Sequence, residues 1–158
     1  LDGGPCESGV ESTVIDCTGD TARILRPGGI TREAVAGTLA ARGMTLATES
    51  PPTDEDAPAS PGQLASHYAP SAPVRLNVTA PEPGMELIGF GETGGAGELG
   101  LNLSPKGDLQ EAAANLFDMM HAADATGATV IGVAPVPGTG LGEAVNDRLR
   151  RAAAPRTL

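Results

Sequence analysis

The sequence predicts an α/β protein whose second half is a small layered domain built on a parallel sheet. Three observations point there. The segment ATVIGVAPV (128–136) is a nearly continuous apolar run, and strands of that kind are covered on both faces, as in parallel sheets. Upstream of it, Leu109, Ala112, Ala113, Leu116, Phe117 and Met120 follow the three- and four-residue spacing of one buried helix face. Strand-like and helix-like segments also alternate along 74–153, the order that layered α/β folds share.

The elements follow in chain order. STVIDC (12–17) and ARILR (22–26) read as short β-branched strands separated by the turn TGDT (18–21). PGGI (27–30) ends the second strand, and Thr31 is a suitable N-cap for REAVAGTLAARG (32–43). In that helix Val35 and Leu39, with Ala36 and Ala40, make one apolar face, and Gly43 supplies the stop. Residues 47–73 are rich in Pro, Asp, Glu and Ser; proline stiffens such a linker and its charges extend it. VRLNV (74–78) and ELIGFG (86–91) read as strands, and GELGLNLS (97–104) is expected to add another. Asp108 caps the long helix, with Glu111 three residues on in a capping-box arrangement. After the apolar run, the turn PGTGLG (137–142) opens the last helix, EAVNDRLRRAA (143–153).

Composition narrows the function. The 158 residues allow one ordinary domain or two small pieces. Aromatics are 2% of the chain, so the core must be built from Val, Ile, Leu and Ala. The formal charge is −10, which repels phosphate backbones and argues against direct nucleic-acid binding. The arginines of RLRRAAAPR (148–156) read as favourable charge at a helix C-terminus. Cys6 and Cys17 form no metal framework and are expected to be partly buried free thiols in a reducing, cytoplasmic setting. No apolar run is long enough to span a membrane, and no signal peptide is recognised.

Several constellations could carry chemistry. PGTGLG lies where backbone N–H groups and a helix dipole can hold an anion, but Gly138, Gly140 and Gly142 do not fit a dinucleotide or P-loop pattern; a tight strand-to-helix turn is the plainer reading. His67 and His121 have no ligand spacing, so no metal site is expected. GPCESGVESTVID (4–16) sets Glu11, Ser12 and Thr13 just before a strand, and Arg26 stands beside a Pro-Gly-Gly turn. Hydroxyls at a strand end can bind a small polar ligand, and an arginine fork can bind phosphate; ordinary turn residues would read the same way. SPGQLASHYAPSAP (60–73) holds the chain's one tyrosine, Tyr68, in a loop rather than a core position.

Taken in order, GPCESGVESTVID, RILRPGGIT and SPGQLASHYAPSAP resemble the Sua5/YrdC family, and NLSPKGDLQEAAANLFDMM with GLGEAVNDRLRRAA look like its Sua5-specific C-terminal domain. The resemblance implies the end of a YrdC-like α/β catalytic domain at 1–46, a Pro-rich linker or lid at 47–73, and a three-layer Rossmann-like Sua5 domain at 74–158. It implies L-threonylcarbamoyladenylate synthesis, a nucleotidyltransferase reaction. L-threonine, bicarbonate and ATP, with Mg²⁺ accompanying the ATP, give threonylcarbamoyl-AMP and pyrophosphate. The product serves modification of tRNA position 37, so tRNA is a partner only through downstream transfer machinery.

By position in the motifs, Ser12 would contact threonine, Arg26 and Tyr68 the nucleotide, and Thr13 and His67 would lie near the lid; no residue is assigned as catalytic. Gln63, Leu64, Ala65 and Ser66 replace part of the family's lid pattern, with loss of a Lys, a Tyr and an Arg. The family's basic triphosphate motif and its Ser-Ala-Asn motif do not occur here. The chain is therefore expected to be a C-terminal part, inactive alone. The alternative is a non-catalytic nucleotide-binding or regulatory Sua5-type module.

Overall fold

The computed structural model describes residues 8–48 and 69–155. The first segment carries β1 (Val14–Asp16), β2 (Thr21–Arg26), α1 (Arg32–Ala40) and β3 (Thr45–Leu46). β1 pairs antiparallel with β2, with a register shift between Val14 and Ile15, and β2 pairs in parallel with β3. Ala22, Ile24 and Arg26 are buried on one side of β2, the two-residue period of a half-covered strand. Thr31 caps α1 as the sequence predicts, accepting from the Ala34 amide. β3 was not foreseen. Gly43, at φ +71, turns the chain out of α1 and lays Thr45 beside Thr21.

The second segment carries β4 (Val74–Leu76), β5 (Met85–Ile88), α2 (Leu109–Ala125), β6 (Val130–Val133) and α3 (Gly142–Ala152). Their sheet runs β4-β6-β5 with every pairing parallel. The apolar run thus becomes the central strand, as its composition demands, although only four of its residues are strand. The register sets Val74, Leu76, Ile88, Ile131 and Val133 on one face. These residues share a core with Ala112, Ala113, Leu116, Met120 and Ala123 of α2 and with Ala144, Val145, Leu149 and Ala152 of α3. Both helices therefore cover the same face. The layer opposite is irregular chain, where Val78 and Ala96 pack on Met85, Leu87 and Val130.

Two expectations change in detail. Residues 97–104 do not form a strand: one isolated bridge joins Asn102 to Gly89, and the Glu98 and Leu99 amides donate to the Glu86 carboxylate of β5 instead of to a ladder. Although Leu99, Leu101 and Leu103 alternate, Gly97 and Gly100 take positive φ and break the extended backbone. The capping box of α2 is also indirect. Asp108 accepts from the Gln110 and Glu111 amides, but the Asp108 amide donates to Ser104 Oγ (2.9 Å), which in turn donates to Glu111 Oε2 (2.5 Å). Buried Ser104 relays the bond that Glu111 would otherwise make.

The first segment is seated on the second. Val10 belongs to the core of α2 and α3. Gly9, at φ +58, runs so close to α2 that a β-carbon there would lie 2.0 Å from the Ala113 carbonyl oxygen. Ion pairs complete the contact. Arg32 donates to both carboxylate oxygens of Glu143, at 3.1 Å from Nε and 2.6 Å from Nη2. Its Nη1 reaches the Ala47 carbonyl at 3.0 Å.

Candidate functional site

Two turns meet at the lower edge of the first sheet. One is the Glu11–Thr13 approach to β1; the other is the Arg26–Ile30 exit from β2. Gly28 permits the meeting. A β-carbon there would stand 2.2 Å from the Glu11 carbonyl oxygen and 2.5 Å from both Ser12 C and Thr13 N. Only a residue without a side chain fits so near to backbone. The Gly29 amide then donates to the Glu11 carbonyl at 2.9 Å, and Thr13 Oγ1 donates to the Ile30 carbonyl (2.6 Å) while accepting from the Ile30 amide (3.0 Å).

This lacing brings Ser12 and Arg26 together. Arg26 donates to the Ser12 carbonyl from Nε (3.2 Å) and Nη2 (3.0 Å), and Nη2 also reaches Ser12 Oγ at 3.2 Å. Arg26 is only 9% exposed, while Ser12 is exposed. The result is a buried guanidinium tied to the backbone and the hydroxyl of an exposed serine. Such a pair can bind a small polar or anionic ligand in a fixed orientation. Thr13 stands next to it, but its hydroxyl is spent on Ile30. His67 and Tyr68 fall outside the described residues.

The other sequence candidates resolve as follows. At PGTGLG, the Gly140 amide lies 3.5 Å from Glu33 Oε1, and Glu143 in the first turn of α3 pairs with Arg32. The chain's own carboxylates thus stand at that helix N-terminus, favouring the tight-turn reading. The Glu33 carboxyl is held below its ordinary value, first by its own backbone N–H and further by the Gly140 amide, Thr31 and Arg32. The Arg32 guanidinium is pushed up, chiefly by its hydrogen bonds to Glu143. His121 is exposed on α2. Cys17 is a free thiol but an exposed one, not partly buried, because it follows an edge strand at the start of a turn; Cys6 lies outside the described residues. Among the described residues no group of three or more His, Cys, Asp or Glu could hold a metal ion, and no helix is long and apolar enough to cross a membrane.

Sequence reasoning missed Arg148. It does not serve the C-terminal dipole of α3; Arg150 and Arg151 occupy the last turn. Arg148 is instead 1% exposed and reaches Glu11 and Pro27, the neighbours of Ser12 and Arg26. A signal was present. Val145, Arg148, Leu149 and Ala152 share one helical face, and a cation in an apolar stripe asks for a buried partner.

Comparison with known proteins agrees with this architecture. Residues 30–154 match the family described as threonylcarbamoyl-AMP synthase, C-terminal domain. A threonylcarbamoyl-AMP synthase of Bacillus subtilis is 31% identical over the whole chain, which covers 49% of that protein. One of Pyrococcus abyssi is 36% identical, again over the whole chain and 50% of the relative. The crystal structure of P. abyssi Sua5 complexed with L-threonine superposes with a TM-score of 0.71 at 31% identity, over 96% of this chain and 48% of that one. The chain thus spans about half the length of the relatives it matches.

Proposed function

Because the chain belongs to the threonylcarbamoyl-AMP synthase family, through the match of its C-terminal domain, we propose that it supplies part of the site where L-threonine, bicarbonate and ATP are joined. In this reading the threonine amine, as the free base, condenses with bicarbonate to form a carbamate, and a molecule of water leaves. A carbamate oxygen attacks the α-phosphate of ATP, and pyrophosphate leaves. Ser12 orients the threonine, and Arg26 holds the nucleotide side of the reaction. The observation that carries this is the Ser12–Arg26 pair, buried behind and open in front, in a chain similar to a protein whose structure holds L-threonine.

Residues 1–46 are read as the end of the catalytic domain, 47–73 as a lid carrying His67 and Tyr68, and 74–158 as the Sua5 domain. A proline-limited lid loses less entropy on closing, and closure keeps water from the carbamate and the mixed anhydride. Mg²⁺ enters with ATP as part of the substrate; no described residue is assigned to it. The product passes to tRNA modification in the cytoplasm, with tRNA meeting other machinery rather than this acidic surface.

Threonine- and bicarbonate-dependent pyrophosphate release by the complete gene product tests the reading. Ser12→Ala should raise the KM for threonine, and Arg26→Lys the KM for ATP. Unchanged constants for both would refute the assignment. The half-length match favours keeping one second reading, a nucleotide-binding module without catalysis. Nucleotide binding with no pyrophosphate release by the complete gene product would select it.

A further inference from the structure

We propose that Arg148, a residue of α3, is a positioning residue that holds Ser12 and Arg26 in register; the functional half of this inference rests on the reading of that pair given above. The geometry is specific. Arg148 Nε donates to Glu11 Oε2 at 2.8 Å, and Nη2 approaches the same oxygen at 2.7 Å. Nη2 also donates to the Pro27 carbonyl at 3.1 Å. Glu11 precedes Ser12 and Pro27 follows Arg26. One guanidinium therefore grips the neighbouring residue on each of the two turns whose meeting makes the site.

The grip is itself fixed. Arg148 Nη1 donates to Asp147 Oδ2 at 2.5 Å. Asp147 is held in turn by Arg151, at 3.0 Å from Nε and 3.1 Å from Nη2. At 1% exposure the Arg148 side chain is enclosed by protein, so its guanidinium depends on these acceptors rather than on water. Gly28 sets how close the two turns come; the guanidinium, bonded to one residue of each, sets how they lie along one another. A planar fork serves several acceptors in fixed directions, which an ammonium cannot do. Lysine at 148 keeps the charge but cannot hold Glu11 and Pro27 together. The turns can then slide, and the Ser12–Arg26 bonds lengthen with them.

The test compares Arg148→Lys with wild type, and with Leu149→Ala as a variant that weakens the same helix without touching the turns. In the 158-residue chain, NMR reads the solvent exchange of the Arg26 Nε–H proton and of the Gly29 amide. Arg148→Lys should speed both at least tenfold and Leu149→Ala should leave them unchanged relative to α2 core amides. In the complete gene product, Arg148→Lys should raise the threonine KM at least fivefold. Glu11→Gln removes the partner's charge from the other side; it should give the same signature and, combined with Arg148→Lys, add little. It also decides the matter if Arg148→Lys does not fold. Unchanged exchange in a folded variant overturns the positioning role. So does an unchanged threonine KM where Ser12→Ala raises it. If Ser12→Ala and Arg26→Lys change no kinetic constant while Arg148→Lys still speeds exchange, the ligand reading of the pair fails and the positioning by Arg148 stands.

Discussion

Replacing Gly28 by alanine adds one methyl group at the point where the two turns meet. That carbon would sit 2.2 Å from the Glu11 carbonyl oxygen and 2.5 Å from Ser12 C and Thr13 N. All three are backbone atoms, so no side chain can rotate away. The turns must separate by roughly an ångström to restore van der Waals contact, and overpacking of this kind costs about 1–3 kcal/mol. Separation also breaks the Gly29 N–H bond to Glu11, at 2.9 Å, for roughly a further 1 kcal/mol. Gly28→Ala should therefore lose about 2–4 kcal/mol of stability in urea unfolding, concentrated in residues 8–48. It should weaken ligand binding through Ser12 and Arg26 as well. The control is Gly37→Ala. Gly37 lies inside α1 with nothing within 4 Å of a β-carbon, so alanine there should stabilise by about 0.5–1 kcal/mol. A Gly28→Ala protein as stable as Gly37→Ala would refute the claim that backbone contact at Gly28 builds the site.

Other perturbations have distinct readouts. Asp108→Ala removes the acceptor for two amides at the start of α2 and should cost about 1 kcal/mol, or roughly 2–4 °C in Tm. The Glu33 carboxyl titrates below its ordinary value of 4.5 in the folded chain, so its contribution is fully present above that pH and is lost as pH falls through the lower folded value. The stability difference between wild type and Glu33→Gln should thus be flat above about pH 5 and shrink below pH 4.5; a difference that grows on acidification would show the sign to be wrong. Tyr68→Ala in the complete gene product should weaken nucleotide binding by roughly 1–3 kcal/mol with little change in Tm, whereas a large Tm loss at unchanged ATP affinity would make the tyrosine a structural staple.

What the sequence disclosed was local. Thr31 and Asp108 announce their helices because caps act within three residues. The apolar run of β6 announces a covered strand for the same reason. Ser12 and Arg26 were visible as a pair only through motif resemblance; by residue type alone they are turn residues. The remainder depends on distant chain. Arg148 and Glu11 are 137 positions apart, and no window of neighbouring residues contains both. The arginine was read as helix-end charge because its sequence neighbours, Arg150 and Arg151, do serve that end. β3 is two residues long, too short for any periodicity. Neither the order β4-β6-β5 nor the common face of α2 and α3 is specified by alternation along the chain.

The contact between the two segments joins a modest apolar part to a strongly polar one. Val10 enters the common core, while Arg32–Glu143, Arg148–Glu11 and the approach of Gly140 to Glu33 supply the direction. Apolar burial is non-directional; it would hold the segments together and still tolerate sliding. A buried ion pair adds little net stability once desolvation is counted, yet its acceptors must lie where the guanidinium points. Arginine forks at the start and in the middle of α3 therefore fix where the first segment sits more than how tightly it is held. Arg32 reaches in from α1 toward the start of α3, and Arg148 reaches out from α3 toward the turns around Ser12 and Arg26. A second segment attached in this way holds the turns around Ser12 and Arg26 in place. Its effect should appear in the geometry of Arg26 before it appears in the melting temperature, and Arg148→Lys separates the two.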